Sequence, residues 1–186
     1  MPLLKSDTHT INDIYNLPEG KRAELIDGQL YMIAPPSTMH QRLVMNLSAE
    51  IRDYIKKNNG SCEVFPAPFS VFLSADDTTY VEPDISVICD NNKLTDKGCN
   101  GAPDWIIEIV SPSSSRMDYF IKLFKYRTAG VREYWIVNPM KQTIQTYSFE
   151  GAEDSNQYSF HDTVPSSVYN DLNICISELL NLSSLK

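Results

Sequence analysis

Apolar residues recur at two spacings along the chain, and the switches between them mark its elements. From Ser37 to about Lys57, residues Leu43, Leu47, Ile51 and Tyr54, with Val44 and Ile55 beside them, follow the three-to-four spacing of an amphipathic helix. Pro35-Pro36-Ser37 starts that helix, with Ser37 placed to accept backbone N–H bonds, and Asn58-Asn59-Gly60 stops it. Elsewhere the apolar runs are short. Arg22 to Ile26 and Gln29 to Ile33 flank Asp27-Gly28, which predicts a hairpin. Cys62 to Leu73 is predicted as a strand whose Pro66 and Pro68 imply an edge or a bulge. Pro83 to Cys89, Asp104 to Val110 and Arg132 to Val137 are predicted as buried strands, and Gln142 to Phe149 as a paired neighbour of the last. A helix is predicted from about Arg116 to Ala129, closed by Gly130. The first residues, to Gly20, predict a short helix or loop, and the tail a short strand at Tyr158 to Phe160 and a helical turn at Ile176 to Leu180. Asp90 to Pro103 is taken as a connection outside the core.

Strand, helix and strand in order from Asp104 to Val137 form a βαβ unit, which favours a parallel pair joined by a right-handed crossover. Hairpins before and after it imply antiparallel strands in the same sheet. The expected class is therefore α+β, with a central mixed sheet flanked by helices and an N-terminal β-hairpin. At 186 residues one domain is expected over 1–186, with a core at about 17–147 and a tail at 150–186. No apolar run approaches the roughly 20 residues that span a bilayer. Met1 to Asp7 lacks the features of a signal peptide, so a cytoplasmic protein is expected. The four cysteines, Cys62, Cys89, Cys99 and Cys175, are scattered without a Cys-x-x-Cys pair, and are expected to be free thiols rather than zinc ligands or a disulfide framework.

The net charge of −8 opposes a polyanionic partner, but its distribution is uneven. Arg116 to Arg132 holds five basic residues (Arg116, Lys122, Lys125, Arg127, Arg132) against Asp118, a local net of +4, whereas Glu150 to Lys186 holds six acidic residues against one basic, a net of −5. A solvated helix face would explain the basic stretch as well as a binding role would.

Candidate chemistry starts at Glu108, a carboxylate inside the otherwise apolar run Trp105 to Val110. Strand alternation puts it on the face of Ile106 and Val110, away from Trp105, Ile107 and Ile109. A buried carboxylate without a partner is unfavourable by several kcal/mol, roughly, so Glu108 predicts a cation or hydrogen-bond donors. Asp84 is a second exception, at the start of its own strand. If the two strands are neighbours in register, both carboxylates meet, and a hard cation such as Mg²⁺ or Mn²⁺ would relieve their repulsion. Such a centre suits phosphoryl chemistry. Lys122 lies on the following helix with Asp118 and Tyr126 at i−4 and i+4. Its plainest reading is a surface pair worth about 0.3–0.5 kcal/mol, and the sharper one is an ammonium leaning over the strand ends. Glu24 would by itself be an exposed cross-strand charge, and His40 a hydrogen-bonded core residue.

Taken as an ordered set, several stretches resemble the Uma family of restriction-endonuclease-like proteins in the PD-(D/E)XK nuclease superfamily. They are Pro83-Asp84, Ile107 to Ser113 with Glu108 inside it, Asp118-x-x-x-Lys122-x-x-x-Tyr126, and Ala129 to Val137. Upstream, Glu24 to Gly28 and Pro36-Ser37 followed by His40 fit as well, so that the resemblance covers roughly Leu17 to Tyr147. It implies a restriction-endonuclease-like fold and Mg²⁺- or Mn²⁺-dependent cleavage of phosphodiester bonds, with DNA as the expected partner. It carries Asp84 and Glu108 over as metal ligands and Lys122 as the catalytic lysine. Glu24 follows as an additional acid, and His40 as a family position without an assigned role. By analogy with superfamily members that cut both strands, a homodimer is expected.

The chain departs from the basic superfamily pattern where a lysine would stand two residues after the second acid, since Val110 occupies that place. Lys122 must then have taken over from the helix. Asn138 also stands before Pro139 where the family usually has Asp. Two other functions fit the same residues: a binding or regulatory protein that kept the fold without cutting, and a metal-dependent hydrolase of a smaller phosphoester.

Overall fold

The computed structural model describes residues 8–74, 77–112, 114–151 and 154–181. After a short helix α1 (Ile11–Tyr15), strands β1 (Ala23–Ile26) and β2 (Gln29–Met32) form the predicted hairpin. Asp27 and Gly28 both take left-handed φ values, 50° and 75°, which the two-residue turn requires to match the twist of its strands. Helix α2 (Thr38–Lys57) begins where Ser37 Oγ accepts the His40 backbone N–H at 3.2 Å. Its buried residues Leu43, Val44, Leu47, Ile51 and Ile55 are the stripe legible in the sequence.

The stretch Cys62 to Leu73 does not form one strand. It divides into β3 (Glu63–Pro66) and β4 (Val71–Phe72), which belong to different sheets. The break falls at Pro66 and Pro68, where the backbone has no N–H to donate to a ladder. Strands β5 (Tyr80–Val81) and β6 (Ile85–Ile88) follow. Asp90 to Pro103, expected to lie outside the core, instead contributes β7 (Leu94–Thr95) and β8 (Gly98–Asn100), with Cys99 fully buried.

The βαβ unit consists of β9 (Trp105–Ile109), a π-helical segment (Met117–Lys122) continuing into α3 (Leu123–Ala129), and β10 (Glu133–Asn138). Strands β9 and β10 pair in parallel, Glu108 opposite Ile136. Strands β11 (Thr143–Ser148) and β12 (Asp154–Ser159) extend the sheet antiparallel, and the chain closes with β13 (Val164–Pro165), β14 (Asn173–Ile174) and α4 (Ile176–Leu179).

Where one central sheet was expected, two six-stranded mixed sheets form, in the orders β12-β11-β10-β9-β6-β3 and β2-β1-β5-β4-β8-β7. Helix α2 covers one face of the first sheet, where Leu47 and Ile51 join Ile85, Trp105, Ile107, Trp135 and Val137 in one core. Trp105 and Trp135 meet there edge to face at 4.9 Å, a contact worth about 0.5–1.5 kcal/mol beyond the area it buries. On the other face, Ile106, Val110, Tyr126, Tyr134 and Ile136 pack against Ile26, Val71 and Val81 of the second sheet. The hairpin sheet thus closes over the face that carries Glu108.

The cysteines correct a further expectation, because Cys62 and Cys89 are joined by a disulfide and only Cys99 and Cys175 are free. The reason lies in the register. Antiparallel pairing of Glu63 with Ile88 brings the next residue on each strand, Cys62 and Cys89, side by side. No described helix is long and apolar enough to cross a membrane.

Candidate active site

Strand β9 places Glu108 at the middle of the first sheet, 3% exposed, on the face covered by the hairpin sheet. Strand β6 lies antiparallel to β9, with Ile85 opposite Ile107. One further step of that register sets Asp84 opposite Glu108, so the two carboxylates share a face, since directly opposed residues point the same way. Asp84 is anchored across the gap, accepting the Ile109 backbone N–H at 2.7 Å on Oδ2. His40, from the first turn of α2, places Nε2 3.1 Å from the same oxygen.

Lys122 does not point to solvent. Its side chain is 6% exposed, and its Nζ lies 2.9 Å from Glu108 Oε1, 2.9 Å from Glu24 Oε2 and 3.9 Å from Asp118 Oδ1. The surface-pair reading of Lys122 and the exposed-charge reading of Glu24 are both replaced by burial. Glu24 reaches the site because β1 belongs to the sheet folded over Glu108, and its Oε1 accepts the Glu82 backbone N–H at 2.9 Å. The Glu82 side chain is in turn held by Arg22 Nε at 2.8 Å and Tyr80 OH at 2.7 Å. Tyr126 OH donates to Glu108 Oε1 at 2.6 Å, so Asp118, Lys122 and Tyr126 all face inward. The π-helical turn has one more residue in each hydrogen-bonded ring than an α-turn, and such turns recur where a helix presents functional groups.

Glu24, Glu108, Asp118, Lys122 and Tyr126 therefore form one buried cluster, and Asp84 and His40 form a pair beside it, tied to β9 through the Ile109 amide. Three groups were not singled out beforehand. Ser114 Oγ donates to Asp118 Oδ2 at 2.6 Å, Tyr134 OH donates to the Asp118 carbonyl at 3.0 Å, and the Ile109 amide holds Asp84. Ser114 stands in the serine-rich stretch just before the helix, and that clustering was its only sign in the sequence.

Three carboxylates around one ammonium, with Asp84 close by, leave the site short of positive charge. Burial pushes the Glu108 carboxyl well above its usual range; Lys122 opposes the rise, and Asp84, Asp118 and Glu24 add to it. Burial likewise raises Asp118 to about 6, against the pull of Lys122 and the Ser114 hydroxyl. For Lys122 burial favours the neutral amine, but Glu108, Glu24 and Asp118 together outweigh it and hold the ammonium charged. Burial and then Glu108 raise the Tyr126 phenol, keeping it a hydrogen-bond donor.

Among the described residues no three His, Cys, Asp or Glu side chains form a cation-holding group. The donor chemistry nonetheless fits a hard cation. Asp84 and Glu108 offer carboxylate oxygen in a site with excess negative charge, and Mg²⁺ is commonly held by one or two protein carboxylates with water and substrate phosphate completing its shell.

Residues 11–176 match the Uma2 family, described as "Putative restriction endonuclease". The chain belongs to the Uma2 family. Two curated relatives come from Synechocystis sp. The uncharacterized protein sll1609 is 28% identical over 134 residues, covering 70% of this chain and 74% of the relative. The uncharacterized protein slr1290 is 24% identical over 128 residues, covering 68% and 66%. A crystal structure from Anabaena variabilis, described as a "putative nuclease belonging to DUF820", superposes with a TM-score of 0.75 at 22% identity, covering 92% of this chain and 97% of that one. At that identity the likeness concerns the fold, and this Uma2 chain has the fold of that protein.

Proposed function

We propose that this Uma2 protein is a divalent-metal-dependent endonuclease that hydrolyses phosphodiester bonds in DNA. The observation that carries the reading is the buried Lys122 ammonium, set 2.9 Å from Glu108 and Glu24 on the face to which Asp84 also points. A lysine sealed against solvent among carboxylates is costly to fold, and a site that must neutralise phosphate charge gives it a use. Family membership and the fold of the Anabaena variabilis protein support the same class of chemistry.

Asp84 and Glu108 would hold Mg²⁺ or Mn²⁺. When bound, the cation would polarise the scissile phosphate and make a nucleophile of bound water at neutral pH. The chain's own groups do the rest. Lys122 has three protons to donate; Glu108 and Glu24 take two, and the third is left for a phosphate oxygen or the attacking water. Glu24 and Asp118 hold the ammonium in place, and Tyr126 fixes the orientation of Glu108. A second copy would let a homodimer present one site to each strand of a duplex, and the cytoplasm is where such an enzyme would meet DNA.

The test is incubation of the purified protein with supercoiled plasmid and with duplex and single-stranded oligonucleotides, in Mg²⁺, in Mn²⁺ and in chelator. Glu108→Gln and Lys122→Ala run alongside. Cleavage that needs the cation and disappears in both variants is the expected result. Cleavage that persists in both would place the activity elsewhere. Binding without cleavage under every condition would favour a non-cutting member of the fold.

A further inference from the structure

His40 has no assigned part in the chemistry above, yet its ring is hydrogen-bonded to the Asp84 carboxylate. The contact is 3.1 Å, between side chains 14% and 16% exposed, and joins the first turn of α2 to the residue just before β6. An imidazole kept for packing would be expected to satisfy both nitrogens. Here Nδ1 is buried with no hydrogen-bond partner, so the ring is retained at a cost that its packing does not explain.

Asp84 supplies the explanation. Its carboxylate accepts only, so His40 must donate from Nε2, and it does so to Oδ2, the oxygen that already accepts the Ile109 amide at 2.7 Å. Both bonds fall on one oxygen. Donors on two different elements, α2 and β9, thus fix the carboxylate plane and leave Oδ1 as the oxygen available to a cation. A ligand held this way loses less freedom when it binds, and outer-shell partners of this kind typically account for a 10–100-fold difference in metal affinity.

We propose that His40 is a positioning residue for Asp84, orienting that carboxylate for a divalent cation. The proposal rests on the metal-binding reading above. It is tested on the full chain by Mn²⁺ titration calorimetry with thermal melts of the metal-free protein, comparing wild type, Asp84→Asn, His40→Leu, His40→Gln and His40→Asn. His40→Leu removes an unsatisfied buried nitrogen, so its melting temperature should equal or exceed that of wild type while its Mn²⁺ affinity falls about tenfold or more. Glutamine places an amide N–H near the position of Nε2 and should bind close to wild type. Asparagine is equally polar but too short to reach Asp84, and should bind as weakly as leucine. Should the leucine variant not fold, the glutamine and asparagine pair still decides. Wild-type affinity in His40→Asn, or equal losses in the glutamine and asparagine variants, would overturn the proposal and leave the metal reading standing. Mn²⁺ binding that is absent in wild type, or unaffected by Asp84→Asn, would remove the metal reading and the role of His40 with it.

Discussion

Lys122 Nζ and Glu108 Oε1 face each other at 2.9 Å, with the two side chains 6% and 5% exposed. Neither can exchange its partner for water. Replacing Lys122 with Met would leave Glu24, Glu108 and Asp118 converging on an apolar tip. Removing one side of a buried ion pair typically costs about 3–5 kcal/mol, so Lys122→Met should lower the unfolding free energy read from urea denaturation by an amount in that range. Glu108→Gln should cost distinctly less, because Lys122 keeps Glu24 at 2.9 Å and the amide oxygen can still accept from Tyr126. Equal losses in the two variants would mean that the ammonium is not what holds the cluster together.

The crowding of carboxylates also predicts the pH dependence of stability. Asp118 is raised to about 6, chiefly by burial, from a usual value of 3.8. The folded state therefore binds more protons than the unfolded state between those two values, and stability falls as pH rises through that window. Glu108, raised for the same first reason, carries the fall further upward. The comparison that isolates Asp118 is with Asp118→Asn, which should gain on wild type as pH rises from about 4 to about 6.5 in chelator. A constant difference across that range would contradict the assignment. Mg²⁺ or Mn²⁺ should stabilise wild type more at about pH 7.5 than at about pH 4.5, because a ligand carboxyl must lose its proton to bind.

The part of this site legible in the sequence was the part written as an exception within one element. Glu108 announced itself by interrupting an apolar strand, and Asp84 by opening one. Glu24 could not be judged that way, because its burial depends on a second sheet folding over the first, and nothing local to β1 records that. The same blindness applied to Asp90 to Pro103, where β8 is stabilised by pairing with β4, and β7 by pairing with β8, rather than by any run of their own. Lys122 looked like a surface residue because a helical i, i+4 pair with Asp118 has the same spacing on either side of a helix. Its direction became readable only through the resemblance of the whole motif set to a family.

The disulfide is a sharper instance, since its pairing depends on strand register. Cys62 and Cys89 stand 27 positions apart, and closing a loop of that size restricts the unfolded chain by about 3–4 kcal/mol in the loop-entropy account. The Cys62→Ser, Cys89→Ser double variant should be less stable than the oxidised protein by about that amount. Thiol titration of the denatured, unreduced protein should find two reactive groups, Cys99 and Cys175, rising to four after reduction. Four thiols before reduction would remove the bond.

Glu133 is a buried carboxylate that no pattern in the chain marked as special, for it follows Arg132 and opens a strand, where a charge is ordinary. It is 2% exposed and accepts four hydrogen bonds: Trp135 Nε1 at 2.6 Å on one oxygen, and Ser166 Oγ at 2.8 Å with the backbone amides of Ser167 and Val168 at 2.9 Å each on the other. The last three donors lie more than 30 positions downstream, so one side chain of β10 holds the tail against the first sheet at Ser166 to Val168. Glu133→Ala would strand several buried donors, at about 1–3 kcal/mol for each left without water. Glu133→Gln keeps the size but presents an NH₂ to groups that are themselves donors, so it should be destabilising too. Both variants should expose the segment around Ser166 to Val168 to limited proteolysis at temperatures where wild type resists. Lys122 and Glu108 lie on the opposite side of that contact network, with no hydrogen bond to Glu133, so any cleavage activity should survive in the folded fraction. Loss of activity without new proteolysis would assign Glu133 to the site instead of to the tail.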